Sequence, residues 1–208
     1  RETAWIALLS LLVHAYFVLA LMNIVRYVGS NRVPFATDDF LGSFSVVAAA
    51  LAAVLGFRQT LTESVRGTWF FLLHRPTARW KLLAVKLLTG AGLYLAASAV
   101  PVLAYAGWAA TPGKHASPFD WSMTLACWQA WFAMATVYLA AFLSGLRPGR
   151  WFGTRLAPLA GVGLLVGLLV VLVQMAPGWW PFATVVILLI DAWLVGTILF
   201  VARTRDYS

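Results

Sequence analysis

Two groups of residues in this sequence could do chemistry. The larger is the basic segment from Arg58 to Lys86 (RQTLTESVRGTWFFLLHRPTARWKLLAVK), which sets Arg58, Arg66, Arg75, Arg79, Lys81 and Lys86 against a single acid, Glu63. Leu61, Val65, Trp69 and Leu72 recur at spacings of three and four, with Arg58, Thr62 and Arg66 on the opposite side. That pattern predicts an amphipathic helix, followed by a break at Pro76 and a new helix whose first turn tolerates the proline. Such a surface suits docking, either on a protein groove or at the membrane face. It also suits a plainer role, a basic loop that fixes topology. The second group is His14 and Asp191, ionisable residues near the middle of the first and last apolar runs. An Asp at that depth costs about 2.5–3.5 kcal/mol on insertion scales, so it should face protein or water. The two could pair. Alternatively each makes a separate structural hydrogen bond, Asp191 with Thr184, Thr197 or a backbone carbonyl; the modest worth of intramembrane hydrogen bonds favours that reading.

Signatures of catalysis are missing from the sequence. It has no G-x-x-x-x-G-K-[ST] loop for ATP, no H-E-x-x-H and no G-x-S-x-G. Gly90 and Gly92 do not extend to a dinucleotide fingerprint. His14, His74 and His115 fall at three different depths, so no shared metal is expected. Acid–base catalysis would need convergent polar side chains, and the one dense polar cluster is the basic segment.

The elements that must position these residues follow from composition. The chain has 208 residues, 62% of them hydrophobic and 11% charged, with a net charge of +8 and a mean hydropathy of +0.85. A soluble domain of that size could not hide so much apolar side chain. Apolar runs of helical length recur, so the expected class is all-α, a polytopic membrane protein of one domain over 1–208. Spans are predicted at about 5–25, 40–57, 82–108, 121–143, 156–175 and 182–202, with the basic segment 58–81 between the second and third. Pro101 should kink the third span. Pro177 to Pro181 (PGWWP) reads as a tight turn with interfacial tryptophans. Ala157, Gly161, Gly163 and Gly167 offer small-xxx-small spacing in the fifth span, for packing within one subunit or for a dimer contact. The single cysteine, Cys127, allows no internal disulfide. The chain opens on Arg1 rather than methionine, which leaves open a trimmed N-terminus, and its first apolar run is too long for a cleavable signal peptide.

Positive charge sets orientation. Arg1, the six cations of the basic segment, Arg147, Arg150, Arg155, Arg203 and Arg205 fall on one side of the predicted layout; Arg26, Arg32 and Lys114 fall on the other. The richer side should be cytoplasmic, with both termini and the basic segment. Cations in short loops beside apolar runs point to membrane lipids rather than nucleic acid.

The basic segment resembles the permease subunits of type-2 ATP-binding-cassette (ABC) transporters. Glu63, Gly67, Thr68, Leu72, Leu73, Arg75, Pro76, Arg79 and Lys86 carry the likeness, in the pattern E-x-x-x-G-T-x-x-x-L-L-x-R-P-x-x-R-x-x-x-x-x-x-K. The resemblance implies a permease without enzyme activity or cofactor of its own, working as a homodimer or heterodimer in the cytoplasmic or inner membrane. It also implies a separate ATPase subunit that binds ATP and Mg, docked on a coupling helix. Carried onto this chain, coupling falls to Leu61, Glu63, Val65, Arg66, Gly67, Thr68, Trp69 and Leu72, with Arg75, Pro76 and Arg79 setting the return into the third span. The expected function is export of a substrate by ATP hydrolysis in that partner. The spans show no charged pathway, which points to a hydrophobic or amphipathic cargo. The short PGWWP turn leaves no room for the large external gate common in that family. The competing readings are a membrane enzyme acting on lipid and a non-transporting assembly subunit.

Overall fold

In hydrocarbon every backbone N–H and C=O must find a partner within the chain, and a helix does this segment by segment. The computed structural model describes residues 2–29, 33–35, 39–66, 79–113, 119–147 and 154–204, and helices are the regular elements among them. They are α1 (Glu2–Tyr27), α2 (Asp39–Arg66), α3 (Arg79–Ala109), α4 (Leu125–Leu146), α5 (Ala157–Met175) and α6 (Trp180–Thr204). Short 3-10 turns, Trp121–Thr124 and Pro177–Trp179, lead into α4 and α6.

Five stretches are long and apolar enough to cross a membrane: Leu8–Tyr27, Phe40–Leu61, Trp80–Ala109, Trp121–Leu146 and Trp180–Thr204. Each covers much or all of a predicted span. The fifth predicted span differs. The apolar stretch in α5, Ala157–Val173, is shorter than the others; at 1.5 Å per residue it reaches about 25 Å, the low end for a crossing. The second predicted span ended near Phe57, but α2 continues unbroken to Arg66. Gln59 to Arg66 therefore prolongs a crossing helix, with no turn former to interrupt it. Pro101 lies inside α3, which continues through it to Ala109. The expected PGWWP turn is a 3-10 turn, and Trp180 already belongs to α6.

The chain forms two compact units, Arg1–Leu51 with Tyr94–Met134, and Ala52–Leu93 with Ala135–Ser208. Helices α2, α3 and α4 each contribute a segment to both.

The first unit is built on aromatic rings. Phe40 stacks on Phe44 at 5.8 Å, and Tyr16 packs on Phe44 at 5.6 Å. Phe35 packs on Tyr105 at 4.5 Å, Phe40 at 5.7 Å and Phe119 at 5.9 Å. Its φ of +64° is unusual for a residue with a Cβ. A left-handed conformation costs about 1–2 kcal/mol, whereas each ring pair contributes about 0.5–1.5 kcal/mol, so three neighbours hold it there. Trp131 ties α4 to α3 in this unit: its carbonyl accepts from Tyr94 Oη at 2.8 Å, and its indole N–H donates to Leu95 O at 3.2 Å.

The second unit is centred on α4. Every residue from 136 to 146 is buried, as expected of a helix apolar on all sides. Glycines let its neighbours approach. A Cβ on Gly56 would stand 2.6 Å from Tyr138 O and 2.8 Å from Ala141 Cβ, and one on Gly145 would strike Thr60. Gly56 thus lies at Ala141 and Thr60 at Gly145, four residues on along both helices. Within this unit α2 and α4 therefore run parallel. Tyr138 also fills the space over Gly90 of α3 and donates to Leu87 O at 2.8 Å. By contrast Gly161, Gly163 and Gly167 have nothing within 4 Å of an added Cβ. The close packing within the subunit expected at those glycines occurs instead at Gly56, Gly90 and Gly145.

Outward faces carry large apolar side chains, among them Leu11, Val25, Val46, Leu88, Leu168 and Met175. In water such surface would drive aggregation; against lipid tails it is matched.

Candidate functional site

Two places follow from the sequence: the basic segment and the intramembrane polar pair. Of the coupling residues, Leu61 is half-buried on α2. Glu63, Val65 and Arg66 belong to the last turns of α2, and Arg79 is the first residue of α3; their side chains lie outside the described residues. So do Gly67, Thr68, Trp69, Leu72, Arg75 and Pro76, and with them the rest of the predicted coupling helix. The parallel course of α2 and α4 bears on this segment. Both helices finish at the same end of the second unit, so Arg58 and Arg147 stand towards one end. There Arg155 donates to the carbonyls of Ser144 at 3.4 Å and Gly145 at 3.3 Å, and Arg147 donates to Thr154 O at 3.4 Å. Arg155 thereby covers carbonyls that the end of α4 leaves without helical partners, where a cation also complements the helix dipole.

His14 and Asp191 each have a local neighbour. His14 is exposed on α1, and its Nδ1–H donates to Ser10 O at 2.7 Å, one turn back. Asp191 lies on the inner stripe of α6, which buries Ala183, Ile187, Leu194, Ile198 and Ala202 at helical spacing. Of the partners expected for Asp191, Thr184 donates to Trp180 O at 2.9 Å and Thr197 to Trp193 O at 2.8 Å. Each hydroxyl donates to the carbonyl four residues back and keeps its own oxygen able to accept. The neighbour is Thr136 of α4, whose hydroxyl stands opposite the carboxyl, close enough to interact electrostatically. The pair is nevertheless outside good hydrogen-bond geometry: Asp191 Oδ1 and Thr136 Oγ1 are both buried and unpartnered. Sequence reasoning missed Thr136, because one threonine among apolar residues gives no signal. The α6 stripe was legible, since its spacing places residue 191 on the inner face.

Asp120 starts the turn into α4 by accepting from Ser122 N at 2.7 Å. The Ser122 hydroxyl first, and then that amide, hold its carboxyl below the ordinary 3.8. Among the described residues no group of three His, Cys, Asp or Glu side chains is placed to hold a metal.

Helices of crossing length with apolar outer faces define a multi-pass membrane protein. Compared with known proteins, the chain matches no family model, no curated protein and no solved structure.

Proposed function

We propose that the chain is the membrane-spanning permease subunit of an ABC exporter, driven by a separate ATPase that docks on the segment between α2 and α3. The observation that carries this reading is the Glu63–Lys86 pattern, which runs from the last turns of one crossing helix, α2, into the start of the next, α3. The parallel α2 and α4 support it, since they bring Arg58 and Arg147 to one end, as the charge-based orientation requires. An unbroken α2 also suits a lever: a partner pushing on its last turns moves a rigid rod packed on the buried α4. Coupling requires that the ATPase bind two states of the permease with different affinity. Membrane lipids and a second permease complete the assembly, and a hydrophobic or amphipathic molecule is the cargo. Pull-down of the tagged chain from its native membrane, with nucleotide hydrolysis measured on the eluate, tests this. An ATPase should accompany the wild type and be lost with Glu63→Lys and with Trp69→Asp. Retention of the same ATPase by both variants would refute the docking site.

A further inference from the structure

Buried polar atoms in a lipid-facing protein normally find partners within it, because hydrocarbon offers none. Three in the first unit do not. Tyr16 Oη, Asn23 Oδ1 and Tyr105 Oη make no hydrogen bond, and their residues are 1%, 4% and 0% exposed. These residues lie on surfaces that meet. Tyr16, Ala20, Asn23 and Tyr27 form the buried stripe of α1. Tyr27 packs on Tyr105 of α3 at 6.4 Å, and Asn23 precedes Tyr27 by one turn. Tyr16 packs on Phe44, Phe44 stacks on Phe40, and Phe40 packs on Tyr105 at 4.7 Å. All three residues thus belong to the seam where α1 meets α2 and α3, walled by aromatic rings. Their chemistry is selective. Each phenol can donate as well as accept; the amide oxygen accepts, while Asn23 Nδ2 donates to Leu19 O at 2.8 Å. A hydroxyl complements that set, since it too both donates and accepts. An ion does not: among the described residues the buried polar side chains are uncharged, so an ion there would meet no counter-charge. Access follows from burial. α1 carries the least buried of the five crossing stretches, and its other side exposes Leu11, Val18, Leu21 and Val25. That side faces lipid, so a molecule already dissolved in the bilayer reaches the seam when α1 moves aside.

We propose that this seam binds the uncharged, hydroxyl-bearing head of a membrane amphiphile, which enters from the lipid by displacing α1. The head donates to Asn23 Oδ1 and accepts from Tyr16 or Tyr105, while its apolar chain stays among the aromatic rings and the lipid tails. Such a site deepens the transport reading by giving the cargo a head group and a place. It rests on that reading only in calling the molecule cargo; binding itself needs no ATPase.

Photolabelling of the full chain in lipid nanodiscs tests it. The probe is a monoacylglycerol with a diazirine near its head. The comparisons are the matching methyl ester, which lacks hydroxyls, and the matching alkyl sulfate, which is charged. The monoacylglycerol should label residues 16–27 of α1 and 98–108 of α3 several-fold more than either comparison, and plain monoacylglycerol in excess should compete the label away. Tyr16→Phe, Asn23→Leu and Tyr105→Phe should each cut that difference several-fold, and Gly163→Ala should not. Equal labelling by the methyl ester or the sulfate overturns the proposal, as does a difference that survives all three variants. Tyr16→Phe and Tyr105→Phe remove one oxygen each, so they decide alone should Asn23→Leu fail to fold. Glu63→Lys should leave the labelling intact. Labelling of a chain that never binds an ATPase would refute the transport reading and keep the site; a docked ATPase without labelling would do the reverse.

Discussion

Single atoms decide how closely these helices pack. An alanine Cβ at residue 56 would meet backbone of α4 at 2.6 Å, and backbone cannot swing aside as a side chain can. Gly56→Ala should therefore destabilise the protein by about 1–3 kcal/mol, the usual cost of overpacking. Gly163→Ala, with open space around it, should stay within about 0.5 kcal/mol of the parent. Unfolding in detergent, followed for both variants, checks the contrast; equal losses would mean that α2 and α4 do not touch at Gly56. Tyr138 is a companion case. Its hydroxyl spans from α4 to Leu87 O, so Tyr138→Phe should cost about 0.5–1.5 kcal/mol, the usual net worth of one hydrogen bond. Neither Gly56 nor Tyr138 was singled out by the sequence. Glycine is common in membrane helices, and spacing alone pointed to Gly161, Gly163 and Gly167, where an added Cβ would meet nothing within 4 Å.

The ends of α4 show how an element is terminated. At the entry, Asp120 accepts from Ser122, and its carboxyl is held below its ordinary value. A carboxyl depressed by folding stabilises the fold above its unfolded value. That contribution is lost as pH falls from about 3.8 through the folded value. The Ser122 amide should thus lose its protection from exchange on acidification below pH 3.8, while Asp120→Asn, which keeps an acceptor but cannot titrate, should show no such step. At the exit, Arg155 covers the carbonyls of Ser144 and Gly145. Arg155→Ala should loosen the last turn, and hydrogen exchange at Leu146 and Arg147 should rise several-fold with little change near Tyr138. The element most visible in advance was α6, whose apolar run is long and whose inner stripe is regular. The least visible boundary was the end of α2. Polar residues after Phe57 suggested a separate surface helix, but helical hydrogen bonding runs on through them because nothing in Gln59 to Arg66 interrupts it.

Across the whole molecule the question is which ends share a side of the membrane. Parallel α2 and α4 place the ends near Arg66 and Arg147 together, and the crossing stretch Trp121–Leu146 starts just after Asp120. In a Cys127→Ser background, Arg66→Cys and Arg147→Cys should react with an impermeant thiol reagent from one face, and Asp120→Cys from the other. Labelling of all three from one face would overturn the arrangement. What the sequence determined by itself was the solvent and the kind of element. Apolar composition over helical lengths leaves lipid as the surroundings and helices as the form, because backbone groups in hydrocarbon must be satisfied locally. Its cations ranked the two sides by charge alone. Tertiary structure decided which residues meet: Gly56 with Ala141, Thr60 with Gly145, and Tyr138 with Leu87. Those partners depend on how helices distant in sequence rotate and slide against one another. Contact geometry sets that rotation, and periodicity along one helix carries no record of it.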